Sequence, residues 1–226
     1  MKTKKCILGP TFDVWSRLQH GQEKIIRFGI YHKRFPHVLR KQNGHEHRCS
    51  VGFLFMESMI KIRPFIKLDE LLLTRCIELH DVPEGITGID LPSPNKKDCN
   101  DLQEYMVFKE LYKPLGRDVW TEARRCFLLQ FAVANPKCFP EEARLVMQEL
   151  YEKHFHEALF FDGVQRLDYL YYAYEGFAVH GNETILNEVS SNQFDRLERI
   201  SKLLPGFRRV IWTNERRNFF GQHCGK

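Results

Sequence analysis

Apolar residues recur along this chain at the three-and-four spacing of α-helices, with no convincing alternation at period two. Between Cys49 and Ile62, the residues Val51, Leu54, Phe55, Met59 and Ile62 fall close to one helical stripe. Leu68 to His80 repeats the pattern with Leu71, Leu72, Ile77 and Leu79, and opens on Asp69-Glu70, acids that suit a helix N-terminus. Pro83 lacks an N–H and its ring clashes with the preceding turn, so this helix should stop before it. His80 and Asp81 are thereby placed in or near a last helical turn. Residues 85–99 hold Gly85, Gly88, Pro92, Pro94 and Asn95, a loop composition, and 82–99 is expected to be the main irregular feature. Further helices are predicted at about 100–113, 119–134, 140–157, 161–179 and 192–203, with Pro114, Gly116, Pro136, Pro140, Gly181 and Pro205 as breakers between them. The pattern predicts an all-α helical bundle in a single domain, residues 1–226. Its segment 190–226 has two readings, as a C-terminal extension that completes the core or as a homodimer contact.

Composition narrows the class. At 226 residues, 43% hydrophobic and 28% charged, the chain has ordinary globular composition and enough length to bury a substantial core. No apolar run approaches the ~18 residues of a membrane span. The apolar stretch within Met1–Pro10 is too short for a signal peptide, so the expected location is cytoplasmic. Seven cysteines are scattered without CxxC spacing and in odd number, which argues against a zinc ribbon and against a disulfide framework. The net charge of +5 suits an anionic substrate and is too small to argue for a nucleic-acid binder. Arg208, Arg209, Arg216 and Arg217 form the one local basic concentration, which reads as a solvated face.

The chemistry concentrates at His80-Asp81, followed by Glu84 and Asp90. A neutral imidazole beside a carboxylate can share one divalent cation. The acids that follow are close enough to act on water or phosphate beside it. A lone His-Asp doublet is weak, but His47 stands upstream after Glu46 and Asp168 stands downstream. His47, His80, Asp81 and Asp168 come from three separated segments, each helical or at a helix end, as a site between packed helices requires. Two imidazoles and two carboxylates suit Mn²⁺, Co²⁺, Fe²⁺ or Zn²⁺, and Mg²⁺ less comfortably. His45, two residues from His47, should point elsewhere, and Tyr169, Tyr171, Tyr172 and Tyr174 read as core aromatics before base-stacking ones.

The order His, His-Asp, Asp resembles the HD-domain metal phosphohydrolases, and more closely their 5'-deoxynucleotidase branch. Glu46-His47 looks like that branch's Glu-His pair at a helix start. His80-Asp81-Val82-Pro83-Glu84 and Thr87-Gly88-Ile89-Asp90-Leu91-Pro92-Ser93-Pro94 look like its His-Asp-x-x-Glu and Thr-Gly-Asp-x-Pro-x-Pro signature, with Ile89 as one extra residue. Arg34-Phe35-Pro36 looks like its phosphate-binding Arg-aromatic-Pro element, and Lys96 matches a lysine after the Pro-x-Pro. The match is dense over residues 34–96 and thin beyond them. In the last helix the family's metal-binding Asp aligns with Gln165, and Asp168 falls one turn later on the same face. The resemblance implies a divalent metal on His47, His80, Asp81 and Asp168, with Glu84 and Asp90 in catalysis and Arg34 and Lys96 on the substrate phosphate. The implied substrate is a (deoxy)nucleoside 5'-monophosphate. Two other readings are a deoxynucleoside triphosphate triphosphohydrolase and a degenerate, non-catalytic nucleotide-binding module.

Overall fold

A computed structural model describes residues 9–88, 98–134 and 136–224. Over these residues the chain is all-α: helices run throughout, and the only β feature is a single bridge between Ile26 and Asn43. None of these helices is long and apolar enough to cross a membrane. The helices are α1 (Gly9–Lys24), α2 (Gly29–Arg34), α3 (Gly44–Ile62), α4 (Glu70–Leu79), α5 (Val82–Thr87) and α6 (Asp98–Tyr112), then α7 (Arg117–Leu128), α8 (Glu141–Lys153), α9 (Phe155–His180), α10 (Glu183–Leu203), α11 (Phe207–Val210) and α12 (Asn214–Gln222).

The long helix α9 is the axis of the bundle. It packs against α10 on one side and against α3, α4 and α8 on others. Leu159, Phe160, Val164, Leu167 and Leu170 of α9 are buried, as are Ile185, Leu186, Leu197 and Ile200 of α10. Phe207, Ile211 and Trp212 are also fully buried, so the segment from 190 onward contributes to the same core. α10 starts at Glu183, nine residues before the apolar pattern predicts. Gly181 ends α9 at φ 66, and the Asn182 side chain then accepts a hydrogen bond from the Ile185 N–H, capping the new helix.

Two local devices position the residues singled out above. Asn43 and Glu46 form a capping box: the Asn43 side chain accepts from Glu46 N at 2.9 Å, and Glu46 Oε2 accepts from Asn43 N at 2.9 Å. Glu46 therefore fixes the start of α3, and His47 follows it in the first helical turn. The second device corrects the expected loop at 82–99. Residues 82–87 form the short helix α5, because Pro83 stands in its first turn, where a missing N–H costs nothing. The chain breaks at Asp81 (φ −98, ψ 8) and resumes a helix at once, which ends at Gly88 with φ 71. Residues 89–97 lie outside the described part.

α1 docks on α5 with almost no space between the backbones. A Cβ on Gly21 would run into the carbonyl oxygen of Gly85, and one on Gly85 would meet the buried amide of Gln22. Gly21→Ala should therefore cost about 1–3 kcal/mol through overpacking against backbone that cannot rotate away, read as a lowered midpoint in urea unfolding.

Candidate metal centre

The break between α4 and α5 delivers His80 and Asp81 to the interior. α3 brings His47 to the same point, and all three are buried. His47 Nε2 and His80 Nε2 each lie 3.1 Å from Asp81 Oδ2. One ligand atom from each of the three residues lies within 4.8 Å of the other two, a span that one ion can bridge.

The ring of His80 is fixed from behind. Its Nδ1 sits 2.7 Å from the Ile77 carbonyl oxygen, which can only accept, so Nδ1 donates there and Nε2 is the ring nitrogen turned toward Asp81. Phe161 stands against the same ring at 5.4 Å, nearly edge-on. Asp81 is held through its backbone, whose carbonyl accepts from Gln22 Nε2 at 2.8 Å.

Asp168, expected as a fourth ligand, stands behind His47. Its Oδ2 is 2.9 Å from His47 Nδ1, the ring nitrogen turned away from Asp81, and its Oδ1 accepts from the Ser50 hydroxyl. The carboxylate is buried as its apolar neighbours Leu167 and Leu170 imply, but it lies outside the three-residue group. In this arrangement it orients His47, as outer carboxylates do for metal-bound imidazoles. Asp168→Asn should then weaken metal binding about 10- to 100-fold without abolishing it. A competition titration with a chelator measures this, and a loss as complete as that of His80→Ala would make Asp168 a direct ligand. Gln165, one turn earlier, is half-buried, and its Nε2 has no hydrogen-bond partner.

Arg27 was not legible as a site residue, and it enters between the acids. It is 3% exposed, donates from Nη1 to Glu84 Oε2, and lies 3.4 Å from Asp81 Oδ2. Its backbone N–H donates to the Gln42 carbonyl at 2.8 Å beside the Ile26–Asn43 bridge. Phe28 follows at φ 58, an unfavourable conformation held by a stack on Tyr172 at 3.9 Å and an edge contact with Tyr169. The one sequence signal was an arginine set among Ile25, Ile26 and Phe28, a run too short to show a period.

The electrostatics favour a bound cation. Among the described residues, the buried carboxylates of Asp81 and Glu84 lie at the buried guanidinium of Arg27, and that of Asp168 lies at His47. Three buried carboxylates against one buried guanidinium leave negative charge that requires compensation, which a proton on His47 or a bound cation supplies. Burial opposes the ionised form of Asp81, but Arg27, His80 and His47 outweigh it and hold the carboxyl well below the usual range. Burial and Arg27 likewise oppose a charged His47, yet Asp168 and Asp81 prevail and raise it to about 9. His47 Nε2, His80 Nε2 and Asp81 Oδ2 are buried and converge, while His47 Nδ1 faces Asp168. Two imidazole nitrogens and a carboxylate oxygen at this spacing can hold a metal ion.

The remaining candidates fall elsewhere. Arg34 is the residue expected on the substrate phosphate. It lies on the exposed side of α2, paired with Glu188 of α10 at 2.7 Å and stacked over Phe35, since Lys33-Arg34 ends a short polar turn that faces solvent. Arg27 is the buried guanidinium beside Asp81 of the His47–His80–Asp81 group. His45 faces Arg48, at 2.7 Å from Nη2. Asp90 and Lys96 lie outside the described residues. Compared with protein-family models, curated proteins and solved structures, the chain matches none.

Proposed function

We propose that the protein is a metal-dependent phosphohydrolase acting on (deoxy)nucleoside 5'-monophosphates, of the HD-domain type that its motifs resemble. The observation that supports this best is the buried His47–His80–Asp81 group with unpartnered ligand atoms, beside an Arg27–Glu84 pair. His47, His80 and Asp81 would hold the ion, with Asp168 orienting His47. A bound divalent metal supplies Lewis acidity toward a phosphate oxygen and lowers the pKa of a water.

The chain's own groups supply the rest. Arg27, held by Glu84 through Nη1 and 3.5 Å from the Tyr169 hydroxyl through Nη2, would give a phosphate oxygen a charge-assisted hydrogen bond. Glu84 accepts from the same guanidinium, so its carboxylate is held at a fixed position from which it orients a water and takes its proton. The neighbouring Asp81 stays ionised and does not compete for that proton.

The deciding experiment is a substrate panel with each of Mn²⁺, Co²⁺, Fe²⁺, Zn²⁺ and Mg²⁺, covering ribo- and deoxynucleoside monophosphates, triphosphates and cyclic dinucleotides. Release of inorganic phosphate from monophosphates supports the reading. Release of triphosphate would select the triphosphohydrolase, and no turnover with metal bound would select a binding module. Glu84→Gln, which keeps the shape, is expected to retain the metal and lower turnover about 10²-fold or more. Metal analysis alongside kcat tests this, and unchanged turnover would remove Glu84 from the mechanism.

A further inference from the structure

Helix α3 is apolar on two faces. The face toward the core carries Val51, Leu54, Phe55, Met59 and Ile62, all buried. The opposite face carries Cys49, Phe53, Met56 and Ile60, all exposed: Phe53 to 69%, Met56 and Ile60 to 64% each. Single apolar residues on a surface are ordinary, but four in line along one helix are not. A helix apolar all round is normally covered all round, and the fold of one chain covers α3 on the inner side only. A Cβ on Gly52, beside Phe53, would meet nothing within 4 Å, so another backbone has room to approach there.

The spacing selects the occupant. Exposed Glu46 precedes the apolar four and the exposed cap residue Arg63 follows them, so the outer positions are 46, 49, 53, 56, 60 and 63. Their alternating steps of three and four are the repeat of a two-helix seam, and the series reads the same from either end. We infer that α3 pairs antiparallel with α3 of a second copy of this chain, in a homodimer with twofold symmetry. In that register Phe53 meets Met56 of the second copy, a favourable sulfur–aromatic contact, and Cys49 meets Ile60. The acidic end, Glu46, meets the basic end, Arg63. Arg63 is already forked onto Glu70, so this end contact sets direction more than affinity. A parallel pair would set Glu46 against Glu46 and Arg63 against Arg63, and like charges oppose it. Twofold pairing also closes the assembly, since each copy uses the same patch. The interface uses neither the metal cluster nor turnover, so the inference stands apart from the hydrolase reading.

Analytical ultracentrifugation of the full chain, from micromolar to near-millimolar concentration, measures the association. A reversible monomer–dimer equilibrium is expected, since a face about 26 Å long and one helix wide lies at the low end of specific interfaces. Phe53→Glu puts a charge at the centre of the seam twice per dimer and should raise the dissociation constant about 100-fold or more. Its circular dichroism should match the parent, because Phe53 is exposed. Oxidation with diamide reads the register. Ile60→Cys sets a thiol beside Cys49 of the second copy and should give a covalent dimer, which adding Cys49→Ser prevents. The parent should form no disulfide between its two Cys49 residues, which stand about 16 Å apart along an antiparallel seam, beyond disulfide reach. The inference is overturned by a chain that stays monomeric, by a dimer indifferent to Phe53→Glu, by a Cys49–Cys49 disulfide in the parent, or by the failure of Ile60→Cys to cross-link. A monomer that binds phosphatidylglycerol vesicles through Phe53 overturns it too, because lipid would then cover the face.

Discussion

His80→Ala and Asp81→Ala should each yield a helical protein that retains no divalent cation through gel filtration. Phosphatase activity, where the parent shows it, should fall with the metal. The reason is the small size of the ligand set. Among the described residues, His47, His80 and Asp81 are the group whose ligand atoms converge within 4.8 Å, so either change leaves two donors. Loss of an outer partner costs metal affinity about 10- to 100-fold, and loss of a direct ligand should exceed that. The helices should survive, because the large buried side chains such as Trp212, Tyr105, Phe108 and Phe127 stand in packing the site does not supply. His80→Ala nevertheless removes a ring that touches Phe161 and should lower the melting temperature through the cavity it leaves. Metal content by elemental analysis, with circular dichroism on the same sample, checks both parts. Full metal occupancy in either variant would place the centre elsewhere.

What the sequence could and could not convey follows from range. The stripes in α3 and α4 are local, repeated over several turns, and set by one large core, so periodicity marks both helices. His47, His80, Asp81 and Asp168 could be grouped because imidazoles and carboxylates are metal-ligand types that recur here in the order His, His-Asp, Asp on three separate helical segments. Whether Asp168 reaches the ion or the far side of His47 depends on a separation of one imidazole ring, which spacing along the chain does not encode. Pro83 ends α4 where its ring chemistry requires, but the same residue fits a first turn, so 82–87 resumes as a helix where a loop was expected. α10 begins early because Asn182 and Gly181 act together, a cap and a left-handed turn, ahead of a polar stretch.

Arg27 was hidden for the opposite reason from Arg34. A buried arginine in a short apolar run has no periodicity to mark it, whereas an arginine beside an aromatic and a proline carries a motif without being buried. The two make contrasting predictions. Arg34→Ala should leave melting temperature, metal content and KM unchanged, because its ion pair with Glu188 is solvent-exposed and such pairs are screened. Arg27→Ala should destabilise the fold by about 3–5 kcal/mol, since it strips the guanidinium from Glu84 and leaves buried carboxylate charge uncompensated. Because that variant can fail by unfolding, Arg27→Lys is the sharper probe. Lysine keeps a positive charge but offers no planar fork to hold Glu84 and a phosphate oxygen together. Its metal content should match the parent while KM for a nucleoside monophosphate rises about tenfold or more, the worth of one charge-assisted hydrogen bond. If Arg27→Lys leaves KM unchanged and Arg34→Ala raises it, the substrate's phosphate approaches from the α2 face, and Arg27 serves only to neutralise Asp81 and Glu84.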